Sequence, residues 1–184
     1  HRQMQAAAEH HRRIAALAAV EIFAPLSDAE RETLAPHLVY APFAAGDVMT
    51  RQGAVAHWLY LVISGTADVW VDTPEGRRAV GALGAGEVFG EMGMMTGEPR
   101  RATVTARSDV ACYRLDKPGF AGIVRARPDI ADSIARILSK REAELVSRSA
   151  SGTRSAAAEP EHALLGRIRA FFGLAEGERA TARG

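Results

Sequence analysis

A chain of 184 residues with 47% hydrophobic content is long enough for one domain with a real core plus appended helices, and too short for two large domains. A formal net charge of +1 gives no electrostatic reason for non-specific binding to nucleic acid or to a membrane surface. The single Cys112 excludes an intramolecular disulfide, argues against a structural zinc site, and suits a reducing compartment.

The chain opens at His1 rather than Met, as expected of a processed terminus or, the favoured reading, of a piece excised from a longer protein. No run of about 18 apolar residues and no signal-peptide pattern occurs, so the sequence reads as neither membrane-spanning nor exported. From Met4 to Phe23, alanines and the apolar Ile14, Leu17, Ala18 and Ile22 have the spacing of an amphipathic helix. Adjacent His10 and His11 point in different directions on such a helix and have no third ligand nearby, so they read as a solvated face. Ala24-Pro25-Leu26 breaks the helix, and Ser27-Asp28-Ala29-Glu30 reads as a capping box opening a second one through about Leu38.

Residues 39–83 switch to the strand period, in Val39–Phe43, Asp47–Thr50, Trp58–Ile63 and Thr66–Asp72, punctuated by Gly46, Gly53 and Gly65. Thr73-Pro74-Glu75-Gly76 is a turn into Arg77–Val80, which makes a hairpin. Several short strands with regular turns predict a sandwich or barrel. A metal-dependent cupin-type enzyme on such a roll needs clustered His and carboxylate ligands, whereas His37 and His57 stand alone. Ser64, Ser108 and Cys112 have no context of a nucleophile. The sequence therefore reads as a binder and not an enzyme, with no metal site and no cofactor.

Gly86 to Ala106, GEVFGEMGMMTGEPRRATVTA, holds the parts needed to grip a small phosphorylated ligand in one loop. Its glycines let the backbone turn tightly and approach an anion, and Gly90 to Met95 can form one helical turn whose N–H groups face a phosphate. Arg100 follows a rigid Pro99 and precedes an alternating strand, Ala102 to Ala106, so its guanidinium is placed to pair bidentately with phosphate oxygens. Glu91 repels a phosphate but suits a sugar hydroxyl. Alternation puts Arg100 and Arg101 on opposite sides of the strand, which makes Arg101 the exposed one.

In this order of Gly, Glu, Pro-Arg and alternating strand, the segment resembles the phosphate-binding cassette of the cyclic nucleotide-binding domain family, which includes catabolite activator proteins, protein kinase A regulatory subunits and nucleotide-gated channels. The resemblance implies a cyclic nucleotide ligand held by Phe89, Gly90, Glu91, Met92, Gly93, Arg100, Arg101, Ala102 and Val104. Glu91 falls on the acceptor for the ribose 2′-hydroxyl and Arg100 on the arginine for the exocyclic phosphate. It also implies a mainly β, α+β fold: a jelly-roll-like antiparallel β-roll (double-stranded β-helix) with an N-terminal helical hairpin and C-terminal lid helices. Ile22-Phe23-Ala24-Pro25-Leu26 matches the family's approach to the roll. In the family a hydroxyl residue after the phosphate arginine accompanies guanine; Arg101 there argues for cAMP over cGMP. Gly93 and Met94-Met95 stand where the family often has Ala and two branched aliphatics.

After the last strand, Val110 to Leu115, Lys117-Pro118-Gly119-Phe120 opens a short helix to about Arg125, and Pro128 launches a longer one through about Ser147. Ile130, Ile134, Ile137, Leu138 and Leu145 mark its apolar stripe. The resemblance makes the longer helix a lid on the base, with Ile134, Ile137, Leu138 and Arg141 as contact candidates. Residues 148–161 read as a flexible linker, 162–174 as a short amphipathic helix seeking a partner, and 175–184 as a disordered tail. The expected divisions are helices over 1–38, the roll over 39–116 with the cassette at 89–106, and lid helices over 117–147. One helix after the lid leaves no room for a helix-turn-helix, so nucleic acid is not an expected partner. The expected role is a cytoplasmic sensor attached to an upstream effector, such as the transmembrane part of a bacterial channel, with homo-oligomerisation through the parent protein. The alternative is a degenerate fold that serves as an interaction module without ligand.

Overall fold

The computed structural model describes residues 1–149 and 159–174. Helix α1, Arg2–Ala18, ends five residues short of the expected Phe23, and the chain re-enters helix as a 3-10 turn, Glu21–Phe23. In a continuous helix Ile22 lies about 140° from the buried Leu17. An extended Val20 re-aims the chain so that Ile22 and Phe23 are both wholly buried. Helix α2, Asp28–Leu34, carries the expected capping box: Glu30 N–H donates to Ser27 Oγ (3.2 Å) and Ser27 N–H to Glu30 Oε1 (2.8 Å). It stops before Leu38 because Pro36 has no N–H to donate and clashes with the preceding turn, so Ala35–His37 is 3-10. Ser27→Ala is expected to destabilise the fold by about 1 kcal/mol, read from the urea midpoint at unchanged slope.

Eight antiparallel strands form two four-stranded sheets. One has the order β1 (Val39–Phe43), β8 (Val110–Asp116), β3 (Trp58–Ser64), β6 (Val88–Phe89); the other has β2 (Val48–Thr50), β7 (Thr103–Ala106), β4 (Ala67–Thr73), β5 (Gly76–Leu83). Between the sheets lie Met49, Tyr60, Val62, Phe89, Val104, Ala106 and Cys112. The opposite face of the first sheet, through Leu59, Leu61, Tyr113 and Leu115, joins the helical core. That sheet is therefore covered on both faces, which is why β3 reads as a continuous apolar run. Desolvation pushes the Cys112 thiol up to about 12, as expected of an inert core cysteine.

The helical layer includes α4 (Lys117–Ala126), α5 (Asp129–Ser149) and α6 (Glu161–Phe171). Its centre is Phe120, whose ring lies 5.5 Å from Phe23 and 6.1 Å from Phe172. Tyr113 donates its hydroxyl to Glu9 (2.6 Å), tying α1 to β8; that bond, with Arg12 and Arg13, holds the Glu9 carboxyl down to about 2. His10 is not simply solvated: its Nε2 meets Glu32 at 2.5 Å. The linker expected over 148–161 lies outside the described residues except at its ends, where α5 runs to Ser149 and α6 starts at Glu161, and the 175–184 tail lies wholly outside them.

Candidate anion-binding site

Strand β6 is followed by Gly90, whose φ of +81° favours glycine and which caps helix α3 over Glu91–Thr96. The first hydrogen bond of α3 runs from Met94 N–H to Gly90 O (3.2 Å), so the helix itself does not pair the N–H groups of Glu91, Met92 and Gly93. The chain then crosses Gly97, Glu98 and Pro99 and returns to the sheet through Arg100. Its backbone is pinned on both sides, Arg100 N–H donating to Ala54 O and Gly53 N–H to Arg100 O, both at 2.8 Å.

The side chain of Arg100 turns inward and is 5% exposed. Its Nη1 donates to Gly90 O (2.7 Å) and its Nη2 to Trp58 O (2.5 Å), while Nε is buried without a partner. The guanidinium stands 5.9 Å from the Trp58 ring centroid. Among the described residues it pairs with no carboxylate. A buried charge held only by neutral carbonyls is costly, and desolvation lowers the Arg100 pKa against the opposing pull of Tyr60 and Glu91. Such a charge is poised for an anion.

Glu91 stands at the first position of α3. Burial raises its carboxyl above the usual range, opposed by its own backbone N–H and by the charges of Arg141, Arg100 and Arg101. The site thus sets a half-buried carboxyl near a buried guanidinium with no ion pair between them among the described residues, and the carboxyl can accept a hydroxyl.

The fold gathers Phe89, Gly90, Glu91, Gly93 and Arg100 into one cluster. A Cβ on Gly90 would lie 2.3 Å from Arg100 Nη1, and one on Gly93 would lie 2.6 Å from both Arg100 Nη1 and Ala56 O. The Met92 side chain goes into the helical core, leaving its backbone at the site. Val104 is buried between the sheets and Ala102 is half-buried. Arg101 is exposed where Arg100 is buried, but both precede β7, so the difference is set by the loop and not by strand alternation; its guanidinium joins Glu98 (2.5 Å) and Glu142. On α5, Ile134 and Leu138 are buried in the helical core and Ile137 packs against it. Arg141 is the α5 residue whose charge reaches Glu91. Sequence reasoning missed the Trp58 carbonyl and Tyr60, which stacks on Phe89 at 4.9 Å. A backbone acceptor leaves no trace in residue type, and Tyr60 shares the alternation of every other core position.

Gly90→Ala is expected to strain a backbone held at φ +81°, push the guanidinium off its carbonyls and lower the affinity for a phosphorylated ligand by about 10- to 100-fold, the value of one hydrogen bond to a charged group, in a binding titration.

Residues 41–127 match the family model described as the cyclic nucleotide-binding domain. Over 112 residues the chain is 32% identical to a cAMP-dependent protein kinase regulatory subunit of Blastocladiella emersonii, covering 60% of this chain and 28% of that one. Over 125 residues it is 33% identical to a cyclic nucleotide-gated potassium channel of Rhizobium etli, covering 68% of this chain and 34% of that one. The chain thus spans about a third or less of these curated relatives. Among solved structures it resembles the regulatory domain of Toxoplasma gondii protein kinase A crystallised with cAMP, with a TM-score of 0.65 and 26% identity over 76% of this chain and 52% of that one. The Thermus thermophilus catabolite activator protein matches with a TM-score of 0.61 and 28% identity over 71% of this chain and 62% of that one.

Proposed function

We propose, from the premise that residues 41–127 belong to the cyclic nucleotide-binding domain family, that this chain is a sensor that binds a cyclic nucleotide and transmits its presence to an attached effector. The observation that carries the reading is the buried Arg100 guanidinium, which has neutral carbonyl partners and an unpartnered Nε. In the reading, Arg100 takes the exocyclic phosphate together with the N–H groups of Met92 and Gly93, and Glu91 accepts the ribose 2′-hydroxyl. Phosphate supplies the charge that the guanidinium lacks. The ligand is cAMP rather than cGMP: Arg101, occupied by Glu98 and Glu142, puts no hydroxyl at the position after the phosphate arginine. Two relatives point the same way, one named as cAMP-dependent and one solved with cAMP.

The site binds and does not catalyse in this reading. Its output is a population shift in which the ligand favours the state with α5 folded against the cassette; a complete reversal needs a differential affinity of about 5.5 kcal/mol. Arg141, whose charge acts on the Glu91 carboxyl, is the α5 residue assigned here to sensing occupancy. In this reading the effector is attached upstream of α1 and the domain works on the cytoplasmic side; a channel is the effector we favour, because one relative is named a cyclic nucleotide-gated potassium channel. Among the described residues no helix is long and apolar enough to cross a membrane.

Calorimetric titration with cAMP, cGMP and 5′-AMP tests the proposal. Micromolar or tighter binding of cAMP, weaker for cGMP and lost for 5′-AMP, is the expected result. Equal binding of 5′-AMP removes the cyclic phosphate from the reading, and no binding at all leaves the fold as an interaction module.

A further inference from the structure

Helix α6 is seated against the back of the cassette. Leu164, Ile168 and Phe172, spaced four residues apart, are wholly buried in the core shared with α4 and α5. Phe171 covers Gly97 at the end of α3, where an added Cβ would lie 2.5 Å from the ring, so this glycine leaves room for α6 as well as for the turn. The same ring meets His57 edge-on at 5.0 Å and takes the Lys117 ammonium at 3.8 Å. Lys117 stands where the roll passes into α4.

A chain of charges runs through the same contact. Arg167 on α6 bonds Glu159 (2.6 Å) and Glu98 of the cassette (2.7 Å); Glu98 meets Arg101 (2.5 Å); and Arg101 meets Glu142 on α5. Glu98 and Glu142 are little exposed, so these pairs are screened less than surface ones. A second tie joins Arg169 to Asp132 near the start of α5 (2.7 Å). Helix α6 therefore grips α5 through Asp132 near its beginning, while the charge chain reaches α5 ten residues later, at Glu142, through the cassette itself.

We propose that α6 is a strap that holds helix α5 against the phosphate loop before any ligand arrives. A lid that is already seated does not have to be ordered by the ligand. By the relation between apparent affinity and the populated competent state, releasing the strap weakens binding in proportion to the closed population lost. The effect on binding rests on the cyclic-nucleotide reading, whereas the strap itself does not.

The test uses the full chain without ligand. Ile168→Asp expels α6 by burying a carboxylate at its centre, and Arg167→Glu replaces the cation between Glu98 and Glu159 with a third carboxylate. Amide hydrogen exchange is followed in four regions: α6, α5, the cassette over 91–98, and strands β3 and β8 as controls. The expected result is faster exchange in α6, at least tenfold faster exchange in α5 and the cassette, and unchanged strands. Release of α6 with α5 and the cassette as protected as in the parent overturns the proposal. If Ile168→Asp also loses protection in β3 and β8, it has failed to fold, and the milder Arg167→Glu decides by the same criteria. Titration with cAMP then separates the two readings. Loosened α5 with about tenfold weaker cAMP binding supports both. Loosened α5 in a parent protein that binds no cyclic nucleotide supports the strap and overturns the function. Unchanged cAMP affinity with loosened α5 overturns the strap's effect on binding.

Discussion

Arg100→Ala is expected to weaken cyclic nucleotide binding by tens- to thousands-fold. Removing one partner of a buried, hydrogen-bonded charge pair costs about 2–5 kcal/mol, and each 1.4 kcal/mol is about tenfold in affinity. The free protein makes the size of this effect plausible. The guanidinium is desolvated before any ligand binds, and its place is fixed by Gly90 O, Trp58 O and the backbone pairing with residues 53 and 54. The phosphate therefore meets a cation that has already lost its water and most of its conformational freedom. Arg100→Lys separates charge from geometry. An ammonium keeps the charge but cannot donate in a plane to two carbonyls and a phosphate at once, so its affinity should fall between those of the parent and the alanine variant. The measurement is calorimetric titration with cAMP of the three proteins, each checked for an intact fold by circular dichroism. Undiminished binding in a folded Arg100→Ala protein would remove Arg100 from the site.

Phe120→Ala is expected to cost about 3–5 kcal/mol of folding stability, the range for truncating a buried aromatic. Phe120 is wholly buried, and its ring touches the 3-10 turn through Phe23 and the C-terminal helix through Phe172. The cavity would open where three separately encoded pieces of helix meet, and neither Phe23 nor Phe172 can move into it without leaving its own contacts. Urea denaturation followed by circular dichroism reads the loss, and a shift below about 1 kcal/mol would show that the helices close over the gap. Phe120→Leu, which keeps most of the volume, should recover the larger part.

That Gly90, Glu91 and Arg100 share one loop was legible in the sequence because these residues lie close along the chain. Gly90, Glu91, Pro99 and Arg100 lie within eleven positions, and each has a local physical reason to be where it is: a left-handed turn, a first-turn carboxylate, a fixed φ and the return of the chain toward β7. The capping box at Ser27 was legible for the same reason, as were the strands, whose alternation follows from having two faces. Helix ends at Ala18 and Leu34 were harder to place. The break after Ala18 is set by the need to bury Ile22 and Phe23 in a core built from distant residues, and local propensity favoured a longer helix. The stripe Ile134, Ile137 and Leu138 shows the limit of periodicity, which identifies a buried face without saying what buries it. Tertiary structure alone decided that Ile134 and Leu138 belong to the helical core, that Arg101 is held by Glu142 forty-one residues away, and that Phe171 rests on Gly97. Those pairings join residues far apart in the chain, and their selection depends on the packing of the whole core, to which no single segment of sequence holds the key.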